Sequence, residues 1–342
     1  MIDTETLKEV MQIGEQRRAE RRRFIKMAGA SLAAAGSLSV LAACGDDNNN
    51  NNGTGSTTTP TPTPTSTAAA SDMNILNFAL NLEYLEANYY SFAAFGQGPN
   101  STLLTGTGTQ GAVTGGRQVA FADATVASYA REIAQDEIAH ILFLRSQLSS
   151  SAVAQPAINI DGGATGAFTA AARAAGVVGA TGTFDPYASD DNWLLGGMLL
   201  TDVGVTAYKG SAALINSSVI LDAAAGILAT EAYHSGLIRT LLYRRGIAMP
   251  TDRTYSELIS NARDSLDGAS DDDQGVTNPN TVTANGTTYT ASNITPTDSN
   301  GIVFGRTAAN VLNIAYLTRS AATSGGFFPS GLNGNIRSSN AN

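Results

Sequence analysis

Cysteine occurs once in the 342 residues, at Cys44, which excludes an internal disulfide framework. Basic residues are scarce. Lys and Arg number 20 against 29 Asp and Glu, for a net charge of -9 and a pI near 4.7. That balance argues against nucleic acid as a partner, because phosphate binding needs a basic surface. Charged residues make up 14% of the chain and glycines number 35, so long polar loops are expected between packed elements. Histidine is the most informative shortage: there are two, His140 in "DEIAH" (136–140) and His234 in "TEAYH" (230–234). What is abundant is apolar residue, 43%, enough for one or two cored domains.

The lone cysteine ends a recognisable address. "RRRFIK" (21–26) precedes an apolar run, Met27 to Ala43, that closes in "LAAC" (41–44). A basic stretch, a short apolar stretch and small residues before a cleavage point read as an export signal. The run is rich in Ala, Gly and Ser and is marginal as a transmembrane helix. Arg21 and Arg22, with Phe24 and Lys26, resemble the twin-arginine signal. "LAAC" resembles a bacterial lipobox, which would make Cys44 the lipidated first residue of the mature chain. An uncleaved anchor is the alternative, and both readings place the later residues outside the cytoplasmic membrane, periplasmic or on the cell surface. Residues 1–43 carry seven basic and five acidic residues, so the remainder is near -11. Residues 45–72 follow as an Asn/Thr/Pro linker, "GDDNNNNNGTGSTTTPTPTPTST" (45–67) at its heart, with no apolar residues for a core.

Beyond the linker the apolar spacing turns helical. Residues 71–95 place Ile75, Phe78, Leu82, Leu85, Tyr89 and Phe92 on a helical stripe, with Ser71 or Asp72 as the cap. A second helix is expected from about Phe121 to Leu148, a third from about Asn192 to Ile215 and a fourth from about Val219 to Arg245. Gly246 serves as the stop and Pro250 lies beyond it. The long connection at 149–190 holds a short helix at 167–175. This pattern predicts an all-α four-helix bundle over 73–246, with the long connection joining helices two and three. Residues 247–342 read as a loop-rich C-terminal extension. It holds one short helix at "YSELISNARDSL", weak strand signals, an extra amphipathic helix over 302–318, and an aromatic loop, "GGFFPSGLNG" (325–334), that folds back onto the bundle.

Each histidine follows a glutamate by three residues. Glu137 with His140, and Glu231 with His234, therefore project from one helix face, roughly 60° apart in projection. One such pair is ordinary surface-helix chemistry. Two pairs on separate helices, using the entire histidine content, point to a shared interior site. Facing pairs across a bundle, joined by carboxylates from the other helices, make a dinuclear metal site. Glu83 supplies one such carboxylate. Glu86, one turn on, is either an outer group or an alternative ligand. Converging buried acids need protons, partners or cations. Glu132 and Asp136 read as solvated neighbours.

These residues resemble the ferritin-like superfamily, and within it the exported ferritin-like domain proteins related to plant desiccation-related proteins. "EYLEANYYSFA" has Glu83 seven residues before Tyr90, similar to the first-helix ligand pattern of ferritins and rubrerythrins. "EIAQDEIAHILFLR" and "ILATEAYHSGLIR" look like the paired Glu-x-x-His helices, and "TDVGVTAYKGSA" like the third helix. The likeness covers about 73–246 well and 302–334 more loosely. By the first-helix spacing, the third-helix carboxylate belongs seven residues before Tyr208, and that position is Thr201. Asp202 is adjacent and a methylene shorter, and reaches the metals only if the helix rotates or bulges. Otherwise five ligands remain and the second ion binds weakly.

The resemblance implies iron or manganese, paired, bound by Glu83, Glu137, His140, Asp202, Glu231 and His234. Tyr90 and Tyr208, like Tyr89 and Tyr233, are either hydrogen-bond donors around the ligands or core aromatics. It also implies chemistry on a small oxidant or a metal ion: oxidation of ferrous iron, or handling of peroxide or oxygen. Two other readings stay open, a non-catalytic stress- or desiccation-protective envelope protein with a vestigial site, and a tethered binding module. The membrane is met through the lipid anchor, and self-association is left open. A closed storage shell is hard to reconcile with an anchor, a tether and a large extension.

Overall fold

The computed structural model describes residues 66–277 and 281–342, with side chains from residue 71 onward. The export signal at 1–44, Cys44 and most of the linker lie outside the described residues. Seven helices and two short two-stranded sheets occur among those described.

Four long helices form the bundle: α1 (Ser66–Phe95), α2 (Ala124–Leu148), α4 (Asp190–Ala212) and α5 (Ser218–Arg245). α1 packs along α2 and α4 along α5, and the two pairs meet through α1 with α4 and α2 with α5. Caps fix where three of them start. Asp123 accepts from the Thr125 amide, Ser189 from Asn192 and Ser217 from Ile220, each satisfying an amide that the helix cannot. Asp190 and Asp191 also sit favourably in the first turn of α4.

The four helices are not equivalent. α2 buries one stripe, Val126, Ala130, Ile133, Glu137, His140, Ile141, Leu144 and Leu148, at the 3–4 spacing of an amphipathic helix. α1 and α4 are buried on nearly every side, α4 continuously from Trp193 to Tyr208. Their outer faces are covered by the connections. β1 (Val113–Gly115) pairs in parallel with β2 (Ile158–Ile160), Val113 opposite Ile158. α3 (Ala167–Ala175) follows, with Phe168 against Tyr89 and Phe327.

The C-terminal extension completes the cover. It contains α6 (Pro250–Asp267), an exposed hairpin of β3 (Thr281–Ala284) and β4 (Thr287–Thr290), and α7 (Ala308–Ala315). Asn285 and Gly286, both at positive φ, make the hairpin turn. Residues 302–318 were expected to be one helix, but only Ala308–Ala315 is helical. The segment before it is held extended, with the Arg306 amide on the Thr206 carbonyl. It crosses so close to α4 that a Cβ at Gly210 would lie 1.9 Å from the Arg306 oxygen. Phe327 and Phe328 are buried, each worth about 1.5–3 kcal/mol of apolar burial. Asn333 and Asn81 exchange hydrogen bonds that dock the aromatic loop onto α1.

Three boundary expectations change. α1 begins at Ser66, inside the stretch read as linker. Asp72 therefore lies within α1 and caps another element: its carboxylate accepts from the amides of Asn216 and Ser217 at the start of α5. Pro250 begins α6 as its first residue instead of only marking the end of α5, because proline's fixed φ suits the first turn of a helix.

Candidate metal centre

The two Glu-x-x-His helices, α2 and α5, face each other across the bundle. The imidazoles of His140 and His234 stand with ring centroids 6.3 Å apart. Both are buried, as are Glu83, Glu86, Glu137 and Glu231. One ligand atom each from Glu83, Glu137, His140 and Glu231 falls within 4.8 Å of all the others. His140 Nδ1 lies 3.2 Å from Glu83 Oε2, 3.4 Å from Glu137 Oε2 and 3.4 Å from Glu231 Oε1. The other oxygen of Glu137 lies 3.0 Å from His234 Nδ1. Glu137 thus spans the two imidazoles, one oxygen to each.

Tyrosines and a threonine frame the cluster with approximate two-fold symmetry. From α4, Tyr208 donates to Glu83 Oε1 on α1. From α1, the Tyr90 hydroxyl meets the Thr201 hydroxyl of α4 at 2.5 Å. Thr201 therefore occupies the place where α4 would present the counterpart of Glu83. Tyr89 is a core aromatic whose hydroxyl donates to the Trp193 carbonyl, and Tyr233 is exposed.

Asp202 does not join the cluster. α4 runs as an uninterrupted α-helix from residue 190 to 212, without the bulge that would turn Asp202 inward. One residue is ~100° of helix rotation, and Asp202 faces away. Its Oδ2 pairs with Arg239 at 2.8 Å and Arg263 at 3.0 Å, and Oδ1 accepts from Ser235 at 2.6 Å. Against the upward push of burial, those two guanidiniums hold its carboxyl below the usual range. The pair belongs to a buried network that continues from Arg263 to Asp273, on to Arg306, and to Asp267. Asp202 ties α4 and α5 to the extension.

Asp136, read from sequence as solvated, takes part in the site. Its Oδ2 lies 3.3 Å from His234 Nε2, at the partly exposed end of the cluster. The contact of Nε2 with this carboxylate orients the ring so that Nδ1 faces Glu137, the arrangement usual for a metal-ligating histidine. The signal was available as the acid immediately before Glu137, but its meaning depends on how closely α2 and α5 approach.

Buried charge dominates the electrostatics. Burial raises Glu83 to about 8, against the opposing pull of His140. Burial and the charges of Glu231, Glu137 and Glu83 push Glu86 well up. Glu231 is also raised, by burial and by Glu137. For Glu137 burial is outweighed by the two imidazoles, which hold it low. Burial alone would lower both histidines, but the acids reverse this. His140 is raised by Glu83, Glu137 and Glu231, and His234 rises to about 10 through Asp136 and Glu137. The ion-free cluster therefore keeps its charges together by holding protons.

Metal ions fit this site on the structure's own terms. Both oxygens of Glu137, both oxygens of Glu231, and His234 Nδ1 are buried without a hydrogen-bond partner. Each such orphan costs about 1–3 kcal/mol, and Glu137 links the group, with one oxygen toward each imidazole. Carboxylate and imidazole donors together suit iron, manganese or similar divalent ions. Beside the cluster lies a cavity of about 30 Å³, lined by Leu82, Leu85, Leu199, Val203, Val311 and other apolar residues, with Glu86 as its ionisable group.

The sequence model of the ferritin-like domain family matches residues 71–244. The chain belongs to the ferritin-like domain family. The match coincides with the four bundle helices that carry the cluster. The chain is 34% identical over 175 residues to the desiccation-related protein PCC13-62 of Craterostigma plantagineum, covering 51% of this chain and 54% of that protein. It therefore spans about half the length of that relative. It is 27% identical over 271 residues to the ferritin-like catalase Nec2 of Nesocodon mauritianus, covering 78% of this chain and 85% of that one. No solved structure matches.

Proposed function

We propose that this ferritin-like protein holds a dinuclear iron or manganese centre and consumes hydrogen peroxide. The observation that carries the reading is the buried group of Glu83, Glu137, His140 and Glu231, with His234 against Glu137, in which five atoms of Glu137, Glu231 and His234 make no hydrogen bond. The similarity to a protein named a ferritin-like catalase extends over most of both chains. The small apolar cavity at Glu86 supports a reactant no larger than a few heavy atoms.

Disproportionation oxidises one peroxide to dioxygen with loss of two protons and reduces a second to two waters with uptake of two; the metal pair, when bound, stores the electron pair between these half-reactions. The residues have separable tasks. Glu137, which reaches both imidazoles, and Glu231, which lies against His140, would help hold the ions. His140 with Glu83, and His234, would supply further ligands. Tyr208 fixes the Glu83 rotamer from α4, and Asp136 orients His234. The protons held on the two imidazoles and the raised carboxyls occupy atoms that would otherwise ligate, so metal binding would release protons. The apolar wall of α1, α4 and α7 keeps bulk water from the cluster.

Protein loaded anaerobically with Mn²⁺ or Fe²⁺ should hold about two ions per chain and evolve oxygen from peroxide. Loss of oxygen evolution in His140→Ala and His234→Ala, together with the ions, is expected. A metal-loaded protein inert to peroxide and to ferrous iron would favour the second reading, a non-catalytic protective role, which the name of the Craterostigma relative supports.

Export and tethering complete the proposal. Their support is the sequence of residues 21–44, with its paired arginines and Cys44. No helix among the described residues is long and apolar enough to cross a membrane; the attachment proposed is a lipid on Cys44. Cys44→Ser should move the protein from the membrane fraction to the soluble one. An unchanged distribution would remove the lipid anchor from the account.

A further inference from the structure

α4 presents no carboxylate to the cluster of Glu83, Glu137, His140 and Glu231, yet a fourth buried acid stands beside it. Thr201 stands at the α4 position related to Glu83, and Asp202 is committed to Arg239 and Arg263. The fourth acid comes from α1: Glu86, one turn beyond Glu83. We infer that Glu86 is the ligand that replaces the missing α4 carboxylate and completes the second metal position, an inference that rests on the dinuclear reading above.

Three observations carry it. Glu86 is 6% exposed, and no group among the described residues hydrogen-bonds its carboxylate. An acid so placed costs several kcal/mol unless a proton or a cation accompanies it. Next, α4 makes room for it. Gly204 lies one turn after Thr201 on the same face, and a Cβ there would stand 3.2 Å from Glu86 Oε1 and 3.2 Å from Glu231 Oε2. The two carboxylates flank the backbone of Gly204, and any side chain at this position would press on both. Where a second ligand helix would send an acid inward, this one withdraws its side chain and the acid arrives from across the bundle. Finally, the charges close. Glu83, Glu86, Glu137 and Glu231 supply four negative charges against the four positive charges of two divalent ions, with neutral imidazoles at either end. Without Glu86 the site is one negative charge short.

The donor set is therefore six groups drawn from three helices: two acids from α1, and a Glu and a His from each of α2 and α5. α4 contributes a tyrosine, a threonine and a space.

The test is metal stoichiometry and affinity in the full chain, by elemental analysis after anaerobic Mn²⁺ loading and by competition with a chelating dye. Glu86→Gln preserves shape and removes the charge. It should bind one ion with near wild-type affinity and lose the second by ~100-fold or more, beyond the 10–100-fold seen for groups that only orient ligands. Gly204→Ala, which leaves Glu86 in place but crowds it, should weaken the second ion as well. Circular dichroism and the melting curve establish that each variant is folded. Two ions at wild-type affinity in both variants would overturn the inference. Wild-type protein that saturates at one ion would overturn it too while leaving metal binding intact. Wild-type protein that binds none would overturn the inference and the reading beneath it.

Discussion

Asp136 illustrates how a single residue can organise the Glu/His cluster from its edge. Its contact with His234 Nε2 sets which imidazole nitrogen faces the acids. Asp136→Asn keeps the size but weakens acceptance from Nε2, and metal affinity should fall 10–100-fold, measured by competition titration. Unchanged affinity would reduce Asp136 to a surface acid. The protons of the ion-free cluster give a second residue-scale prediction. Glu83 is raised from 4.5 to about 8 and His234 from 6.5 to about 10. In both, the folded pKa lies above the unfolded one, so their contribution to stability is complete below the unfolded value and is lost as pH climbs through the folded one. Glu137 is shifted the other way, so its contribution is already complete above pH 4.5 and constant across the window. The metal-free protein should therefore melt at a lower temperature at pH 9 than at pH 6. The stabilisation gained on adding Mn²⁺ should grow over the same interval, because ions compete with protons for the same atoms. A metal-induced shift in Tm that shrinks with pH would contradict the assignment. Much of this site was legible residue by residue. Two histidines, each three residues after a glutamate, announce a paired site, and Glu83 joins them as a helix-borne carboxylate whose spacing to Tyr90 resembles the first-helix pattern of ferritins. Asp202 was misplaced because neighbours in sequence differ by ~100° around a helix, and only the packing decides which of them faces inward. Glu86 was left open, and Asp136 was set aside, because their roles depend on distances between helices.

At the scale of elements, α4 works as a divider. One side carries Thr201, Gly204 and Tyr208 toward the Glu/His cluster, and Asp202 faces Arg239 and Arg263. Asp202→Ala removes the acid shared by two buried guanidiniums, a loss of the kind that costs about 3–5 kcal/mol. Arg239 keeps carbonyl acceptors at Gln274, Gly275, Asn293 and Ile294, so the lower end, about 3 kcal/mol, is expected in chemical denaturation. Metal content should not change. A drop to one ion with unaltered stability would return Asp202 to the ligand set. The helices themselves were well marked by periodicity. The short helix at 167–175 and the C-terminal limits of α2 and α5 lie where the pattern places them. α7 fell short of its expected span because the Arg306 segment is pinned to α4 through Thr206 and the open surface at Gly210. Long-range backbone pairing of that kind leaves no periodic trace.

At the scale of the whole molecule, α1 and α4 are too apolar for a bare four-helix bundle. α1 is buried on nearly every face, and so is α4 from Trp193 to Tyr208. The connection through α3 and the extension through α7, Phe327 and Phe328 supply the cover, so a region that looks dispensable in sequence is part of the core. That enclosure keeps four acids and two imidazoles out of water and makes cations the natural occupants of the space between them. The most direct test is the metal content of protein loaded anaerobically with Mn²⁺, wild type beside Glu137→Gln. Glu137 reaches both imidazoles, so its loss should empty both positions, from about two ions per chain to fewer than one. Wild-type protein with no bound ion, or a Glu137→Gln variant that retains the full complement, would contradict the account.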